Sequence, residues 1–405
     1  MKILFYNHTG QVSGAERVLL MILARLDRHG FDPIVICPEL GPLQEMVKDL
    51  DVPSETVASL EARFTWRVDA LARYCKSFFG LIRQLRRRVV EIKPDLLHAN
   101  SIRSGLVATA ATFGLGTRVV WHLHDLLPRH PLSTAIRIFA LLSTRTRMIA
   151  VSSAVAGNFR GRFSPLLRDR VSVILNSIEL DKFQLDETSK RAISKELRFR
   201  ETDLAIGIVG QLTPRKGQLE LLRAFGRMQT KVPNSVLLVV GSPMFNRDHE
   251  YLELLRRTTA ELGIGNQVRM LGARNDIAAI MQSLDLLVVN SNAEPFGLVI
   301  LEAMACGTPV LATAVDGIPE IIKHDETGWL VRAGDETALT EAMVHLCRAP
   351  ELRARLAKRG KQTVTARFAV GRYMTELQAY YRSGTNVQLK PLPRQSVAVV
   401  AASRR

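Results

Sequence analysis

Cysteine is scarce in this 405-residue chain. Four are present, Cys37, Cys75, Cys306 and Cys347, with no Cys-x-x-Cys pair. Neither a disulfide-stapled secreted fold nor a zinc module fits that usage. Aromatic residues are few, at 6%, and none interleave with basic runs, so a stacking platform for nucleic acid is not expected. No stretch approaches the roughly 18 apolar residues of a spanning helix. The first apolar run ends at Asn7 and His8, too soon for a secretory signal. A Gly-x-Gly-x-x-Gly after the first strand is absent, which argues against a dinucleotide enzyme. The histidines and remaining cysteines lack ligand spacing, so no metal and no cofactor is expected. Asp49 and Asp51 form a nominal Asp-x-Asp, but it lies in a helix-to-strand turn and reads as solvated charge.

What is present is an ordinary globular balance, 47% hydrophobic and 23% charged, with a formal net charge of +16. The length suits two domains of about 150–200 residues each. The charge asks for an anionic partner: nucleic acid, an anionic membrane or a phosphorylated substrate. Basic residues gather in 66–93, where Leu71, Phe78, Ile82, Leu85 and Val89 keep helical spacing. Arg86, Arg87 and Arg88 mostly lie off that stripe. Two readings stay open: a core-facing helix with a solvated basic face, or a surface that docks on anionic lipid headgroups.

Short apolar runs alternate with amphipathic helices along the chain. Residues 3–6, 34–37, 96–99, 119–123, 148–151 and 171–175 read as buried strands. A second series follows at 204–209, 236–240, 268–271, 286–290, 309–312 and 329–331. Alternation of this kind predicts α/β architecture, with parallel sheets covered on both faces. Two series of about six strands point to two doubly wound domains, although an eight-fold barrel is not formally excluded. The polar stretch 181–200 marks the boundary. The spacing predicts domains at 1–184 and 185–365, a final helix at 366–383 and a loose tail at 384–405.

One stretch, residues 292–310, concentrates chemistry. A strand ends at Asn290, a loop crosses Glu294 to Gly297, and a helix opens near Gly297. The first N–H groups of such a helix have no internal partner and make a phosphate seat. Glu294 precedes the helix and Glu302 falls more than a turn inside it. Such carboxylates can accept hydrogen bonds from sugar and ribose hydroxyls. Taken singly, Glu294 reads equally well as a capping residue and Glu302 as surface charge.

Glu294 and Glu302, seven residues between them and Pro-Phe-Gly inside, resemble the signature of retaining glycosyltransferases of family 4 (group 1). The resemblance spans most of the chain. Ser13-Gly14-Ala15-Glu16 is similar to the family's Gly-Gly-Ala-Glu loop, and His124-Asp125 to its His-Asp element. Gly210-Gln211-Leu212 through Lys216-Gly217, Gly317-Ile318-Pro319-Glu320 and Gly328-Trp329-Leu330-Val331 resemble later elements. The resemblance implies the GT-B fold, two facing Rossmann-like domains with a C-terminal helix crossing back to the first. The first domain would serve the acceptor side and the second the nucleotide-sugar. It implies a metal-independent enzyme moving a sugar from a nucleoside-diphosphate sugar to a glycan or lipid-linked acceptor, as in polysaccharide and cell-envelope pathways. Such an enzyme would be cytoplasmic, with peripheral contact on the inner face of the membrane.

By the same resemblance, Lys216 would pair with the donor diphosphate. The N–H groups of Phe296, Gly297 and Leu298 would cap it, and Glu302 would hold the ribose. Glu294 would grip hydroxyls of the transferred sugar. His124 would contact that sugar near the reacting carbon, although alone it reads as a satisfied strand-end histidine. Gly14 would let the backbone approach the phosphate and acceptor, and Arg274 would touch base or phosphate. Retention in the family is explained by front-face attack assisted by the leaving phosphate, so no protein nucleophile is assigned. Three positions depart from the pattern. Gln211 stands in place of a phosphate-pairing arginine, which Arg215 would replace. Ser13 and Ser177 stand where the family has glycine, and Ser13 brings a Cβ where positive φ is often needed. These departures keep open a catalytically inactive scaffold, and the charge keeps open a basic nucleic-acid-binding protein as the remoter alternative.

Overall fold

Runs of Ile, Leu and Val this short bury best as parallel strands with helices on both faces. A computed structural model of the chain describes residues 1–39, 41–59, 68–184, 186–243 and 246–383. In it the runs form two sheets, parallel throughout. The first has the order β3-β2-β1-β4-β5-β6-β7. Its strands are β1 Lys2–Tyr6, β2 Asp32–Pro38, β3 Ser54–Val57, β4 Leu96–Ala99, β5 Arg118–Leu123, β6 Thr146–Ala150 and β7 Val171–Val173. The second has the order β10-β9-β8-β11-β12-β13. It contains β8 Leu204–Val209, β9 Ser235–Val240, β10 Val268–Gly272, β11 Leu286–Val289, β12 Val310–Thr313 and β13 Trp329–Val331. Only β3 escaped the sequence reading. Its Ser-Glu-Thr-Val edge is largely half-buried and carries no apolar run.

Two compact units result. One is Met1–Asn176 with residues 371–383, and the other is Ser177–Val370. The first break thus falls at 176 and not at 184. Ile178 donates to Phe368 O at 2.9 Å and accepts from Val370 N–H at 3.2 Å, which binds it into the second unit. The same bridge splits the single helix expected from 366. Pro350–Arg367 ends before Phe368, and Val370–Ser383 begins after it. The second of these packs into the first unit. There Tyr381 OH shares a 2.8 Å hydrogen bond with His98 Nδ1. Arg118 Nη2 donates to Tyr381 O at 3.0 Å, and Gln378 accepts from Asp27 N–H at 3.0 Å.

The basic stretch folds as helix Val68–Ile92, with Leu81, Leu85 and Val89 buried. Its arginine run is engaged within the unit. Arg86 donates to Ala111 O at 3.0 Å and Phe113 O at 2.7 Å, closing the end of helix Ile102–Ala111. Arg87 pairs with Glu91, and Arg88 with both Glu55 and Glu91. Trp66, at the start of the basic stretch, and the tail from Gly384 lie outside the described residues. Among those described, no helix is long and apolar enough to cross a membrane.

The Tyr381 hydroxyl ties the last helix to a buried sheet face, so removing it strands His98 Nδ1. That loss costs about 1–3 kcal/mol. Tyr381→Phe is expected to lower the urea midpoint accordingly. An unchanged midpoint would mean that the bond contributes nothing to stability.

Candidate functional site

In an open parallel sheet, ligands sit at the carboxyl ends of the strands where the order reverses. In the first unit that point lies between β1 and β4. Asn7 follows β1, Asn100 follows β4 and His124 follows β5, all buried. They form one polar chain. Ser13 N–H and its hydroxyl both donate to Glu16 Oε2, at 3.0 and 2.5 Å. Asn7 Nδ2 donates to Glu16 Oε1 at 3.2 Å. Asn100 Nδ2 donates to Asn7 Oδ1 at 3.1 Å and to Ala15 O at 3.2 Å. Asn100 Oδ1 is left to accept from His124 Nε2 at 3.2 Å. In neutral His124 the proton therefore sits on Nε2, and Nδ1 keeps its lone pair. Ser13 is extended at φ −124° and caps helix Gly14–Arg25 through Glu16, so the positive φ expected there is not required. Ser177 likewise avoids positive φ. Gly14 is the exposed first residue of that helix.

Side chains two apart on a strand share a face. His122 on β5 and His124 just past its end do so, with ring centroids 4.0 Å apart, and His98 on β4 meets His122 edge-on at 5.2 Å. Burial pushes His98 and His124 down to about 3, and His122 well below its ordinary value. Neither nitrogen of His122 finds a partner among the described residues.

The second unit reverses between β8 and β11. Gly217 follows the turn Pro214–Lys216 at φ +69°, and a Cβ there would stand 2.0 Å from Asn290 O. That close approach lets Asn290 Nδ2 donate to Gly217 O at 2.9 Å, pinning the Lys216 turn against the end of β11. Lys216 Nζ reaches Glu294 Oε2 at 2.5 Å, and Ser291 Oγ donates to the same oxygen at 3.1 Å. Glu294 N–H donates to Asp316 Oδ2 at 2.9 Å, while Gly317 N–H donates to Glu294 O at 3.0 Å. The Glu294 loop is thus held on both its side chain and its backbone. Gly297 then opens helix Leu298–Cys306 at φ +107°, and no side chain caps that first turn. Arg215 donates to Ala293 O at 2.9 Å, beside the same loop.

Lys216, Arg215, Glu294, Phe296, Gly297 and Leu298 are therefore gathered around one loop and one helix start. Glu302 sits half-buried further along that helix. Two expected donor contacts are directed elsewhere. Gln211 Nε2 donates to buried Asp248 at 2.9 Å. Arg274 is engaged by carboxylates of its own unit. Its fork donates to both oxygens of Asp276, at 2.9 and 2.6 Å, and of Glu196, at 2.7 and 3.0 Å. Two carboxylates hold that guanidinium fully charged and occupy four of its five N–H donors. Asp316, Ser291, Asn290, Asn7 and Asn100 were missed. The Asp316-Gly317 turn signal and the polar residues just past strand ends were the available clues.

Two doubly wound units, each with buried polar side chains where its strand order reverses, define the GT-B class. The chain overlays the Anabaena protein HepE, solved in complex with UDP-glucose, with a TM-score of 0.81 and 26% identity. That match covers 95% of this chain and 100% of HepE. Residues 12–182 match the family model described as Glycosyltransferase Family 4, and residues 189–363 that of Glycosyl transferases group 1. Identity is 30% over 321 residues to the D-inositol 3-phosphate glycosyltransferase of Stackebrandtia nassauensis, covering 75% of this chain and 71% of that one. It is 26% over 347 residues to the UDP-Gal:alpha-D-GlcNAc-diphosphoundecaprenol alpha-1,3-galactosyltransferase of Escherichia coli, covering 83% and 85%. The chain spans about half, 48%, of the Bacillus anthracis N-acetyl-alpha-D-glucosaminyl L-malate synthase, matching 189 residues at 31% identity. It belongs to the group 1, family 4 glycosyltransferases.

The buried imidazoles make stability depend on pH. Each is neutral when folded, whereas in the unfolded chain it takes a proton near the ordinary 6.5. The unfolded state then binds more protons below that value, so stability is complete above 6.5 and falls as pH drops toward about 3. The urea midpoint is expected to decline between pH 7 and pH 5, where ordinary carboxylates, near about 4, do not yet titrate. His122→Phe is expected to lessen that decline without abolishing it, because His98 and His124 remain; the same slope in both proteins would remove His122 from its origin.

Proposed function

We propose that this chain transfers a sugar from a nucleoside-diphosphate sugar to a hydroxyl of a glycan or lipid-linked acceptor, with retention at the anomeric carbon and without a metal ion. One observation carries the reading: Lys216 stands largely buried beside an uncapped helix start. An ammonium has three N–H donors, and Glu294 takes one of them. Two remain for phosphate oxygens, next to backbone N–H groups that favour an anion. As the bond from the anomeric carbon to the diphosphate oxygen breaks, its electron pair passes to the leaving group. Lys216, Arg215 and the helix start stabilise that charge, which is a metal's role in other transferases. The acceptor oxygen then forms the new bond and its proton passes to the departing phosphate. Glu294 holds sugar hydroxyls in this reading, and Glu302 the ribose. His124 acts as a positioning residue, its Nδ1 lone pair open to a sugar hydroxyl. The UDP-glucose complex of HepE and the UDP-Gal donor named for the E. coli relative favour uridine diphosphate as the carrier.

A scaffold without turnover is the competing reading, because Gln211 carries no charge and its amide is tied to Asp248. The test is thermal shift with UDP in the presence of a chelator, followed by turnover of UDP-glucose. At a hundred times Kd a ligand adds about 2.7 kcal/mol of stability. Lys216→Ala alone would strand buried Glu294, so the double variant Lys216→Ala/Glu294→Gln is the suitable probe. It is expected to fold and to lose most of the UDP shift, a charge-assisted contact of about 1.5–3 kcal/mol. An equal shift in both proteins would remove Lys216 from the seat. UDP binding with no release of glucose to water or any acceptor would favour the scaffold.

A further inference from the structure

The amino-terminal end of the first sheet, opposite His124, contains a second concentration of charge. A cavity of about 190 Å³ lies at the amino ends of β4, β5 and β6, beneath Tyr380 and Tyr381. Six strand residues at about 3.3 Å each place it about 20 Å from His124 along β5. Arg118, Arg145 and Arg147 line it, and no carboxylate does. Their partners among the described residues are backbone carbonyls, apart from Met1 Sδ, which lies 4.0 Å from Arg118 Nη2. Arg118 donates to Tyr381 O at 3.0 Å, Arg145 to Gly116 O at 3.0 Å, and Arg147 to Thr144 O and Thr146 O at 2.9 and 3.1 Å. Those contacts use one nitrogen of each guanidinium, out of five N–H donors per side chain. The contrast with the Arg86–Arg88 run is direct. There two of three guanidiniums are neutralised by Glu55 and Glu91, whereas here none is paired with a carboxylate among the described residues. Arg170 stands close enough for Arg147, after burial, to lower its pKa further.

Like charges lining a concavity repel and focus the field, an arrangement that an incoming anion relieves. Guanidiniums suit phosphate oxygens in particular, because their forked N–H groups bind two at once. We propose that this cavity is an anion site that takes a phosphate or diphosphate group, separate from the Lys216 seat. The group can belong to a soluble phosphate compound or to a phospholipid headgroup. Because it lies in the other unit, the site stands or falls independently of the donor reading.

The test is calorimetric titration of the full chain with inorganic pyrophosphate in saturating UDP, which fills the donor seat. Pyrophosphate is expected to bind wild type, and Arg145→Gln/Arg147→Gln to weaken it at least about tenfold while leaving UDP affinity unchanged. Arg145 is exposed and makes a single carbonyl contact, so Arg145→Gln alone carries the test should the double variant fold poorly. Cosedimentation with phosphatidylcholine vesicles containing phosphatidic acid separates the two sources. Binding that the variant loses and pyrophosphate competes away assigns a lipid headgroup. Pyrophosphate binding with no vesicle binding assigns a soluble phosphate. Equal pyrophosphate affinity in wild type and variant, or none in wild type, overturns the site.

Discussion

Parallel strands can be joined only by crossovers, and crossovers are right-handed. That constraint decides where this protein can bind anything. The chain winds outward from β1 in one direction and from β4 in the other, so the connections diverge and leave a crevice past Asn7 and Asn100. The same reversal between β8 and β11 opens a crevice past Gly210 and Asn290. Helices close the two faces of each sheet, and only the strand ends remain to receive a ligand.

Polar groups placed in such crevices are costly unless each finds a partner. The second unit meets this with a cation on an anion and backbone on side chain: Lys216 on Glu294, Asp316 on the Glu294 amide, Asn290 on Gly217 O. The loop is thereby fixed before any donor arrives, which lowers the ordering cost of binding. In the first unit the partners form a chain from Ser13 to His124. Its direction follows from donor and acceptor chemistry, since Asn100 Oδ1 can only accept. The histidine row behind it is held neutral by burial, so the same sheet face that positions His124 also makes the unit sensitive to acid.

Charge is distributed by the same logic. A net +16 says that cations outnumber anions, but says nothing about which of them are free. Arg86, Arg88 and Arg274 all stand out in the sequence, and all are engaged with carbonyls or carboxylates of their own unit. Arg118 and Arg147 attract no attention as sequence, yet they are brought together on a cavity by strands that start side by side. A count of charges becomes a binding surface only through the sheet register.

The local pattern settled most of the fold. Apolar runs of four to six residues separated by amphipathic stretches have few solutions other than doubly wound sheets, and Glu294 through Gly297 reads as a loop entering a helix without tertiary information. Edge strand β3 was invisible because an edge needs no buried face. The final helix begins at Val370 and not at 366, because the Ile178 bridge before it depends on residues nearly two hundred positions apart. Tertiary structure alone decided which partners the candidates meet. Motif spacing places Arg274 and Gln211 as plausibly as Lys216, but partners distant in sequence, Glu196 and Asp248, bind the first two, and Glu294 holds the third. Residue type and spacing fix what a side chain is able to bond, whereas the bond it makes is decided by whatever the fold brings within three ångströms of it.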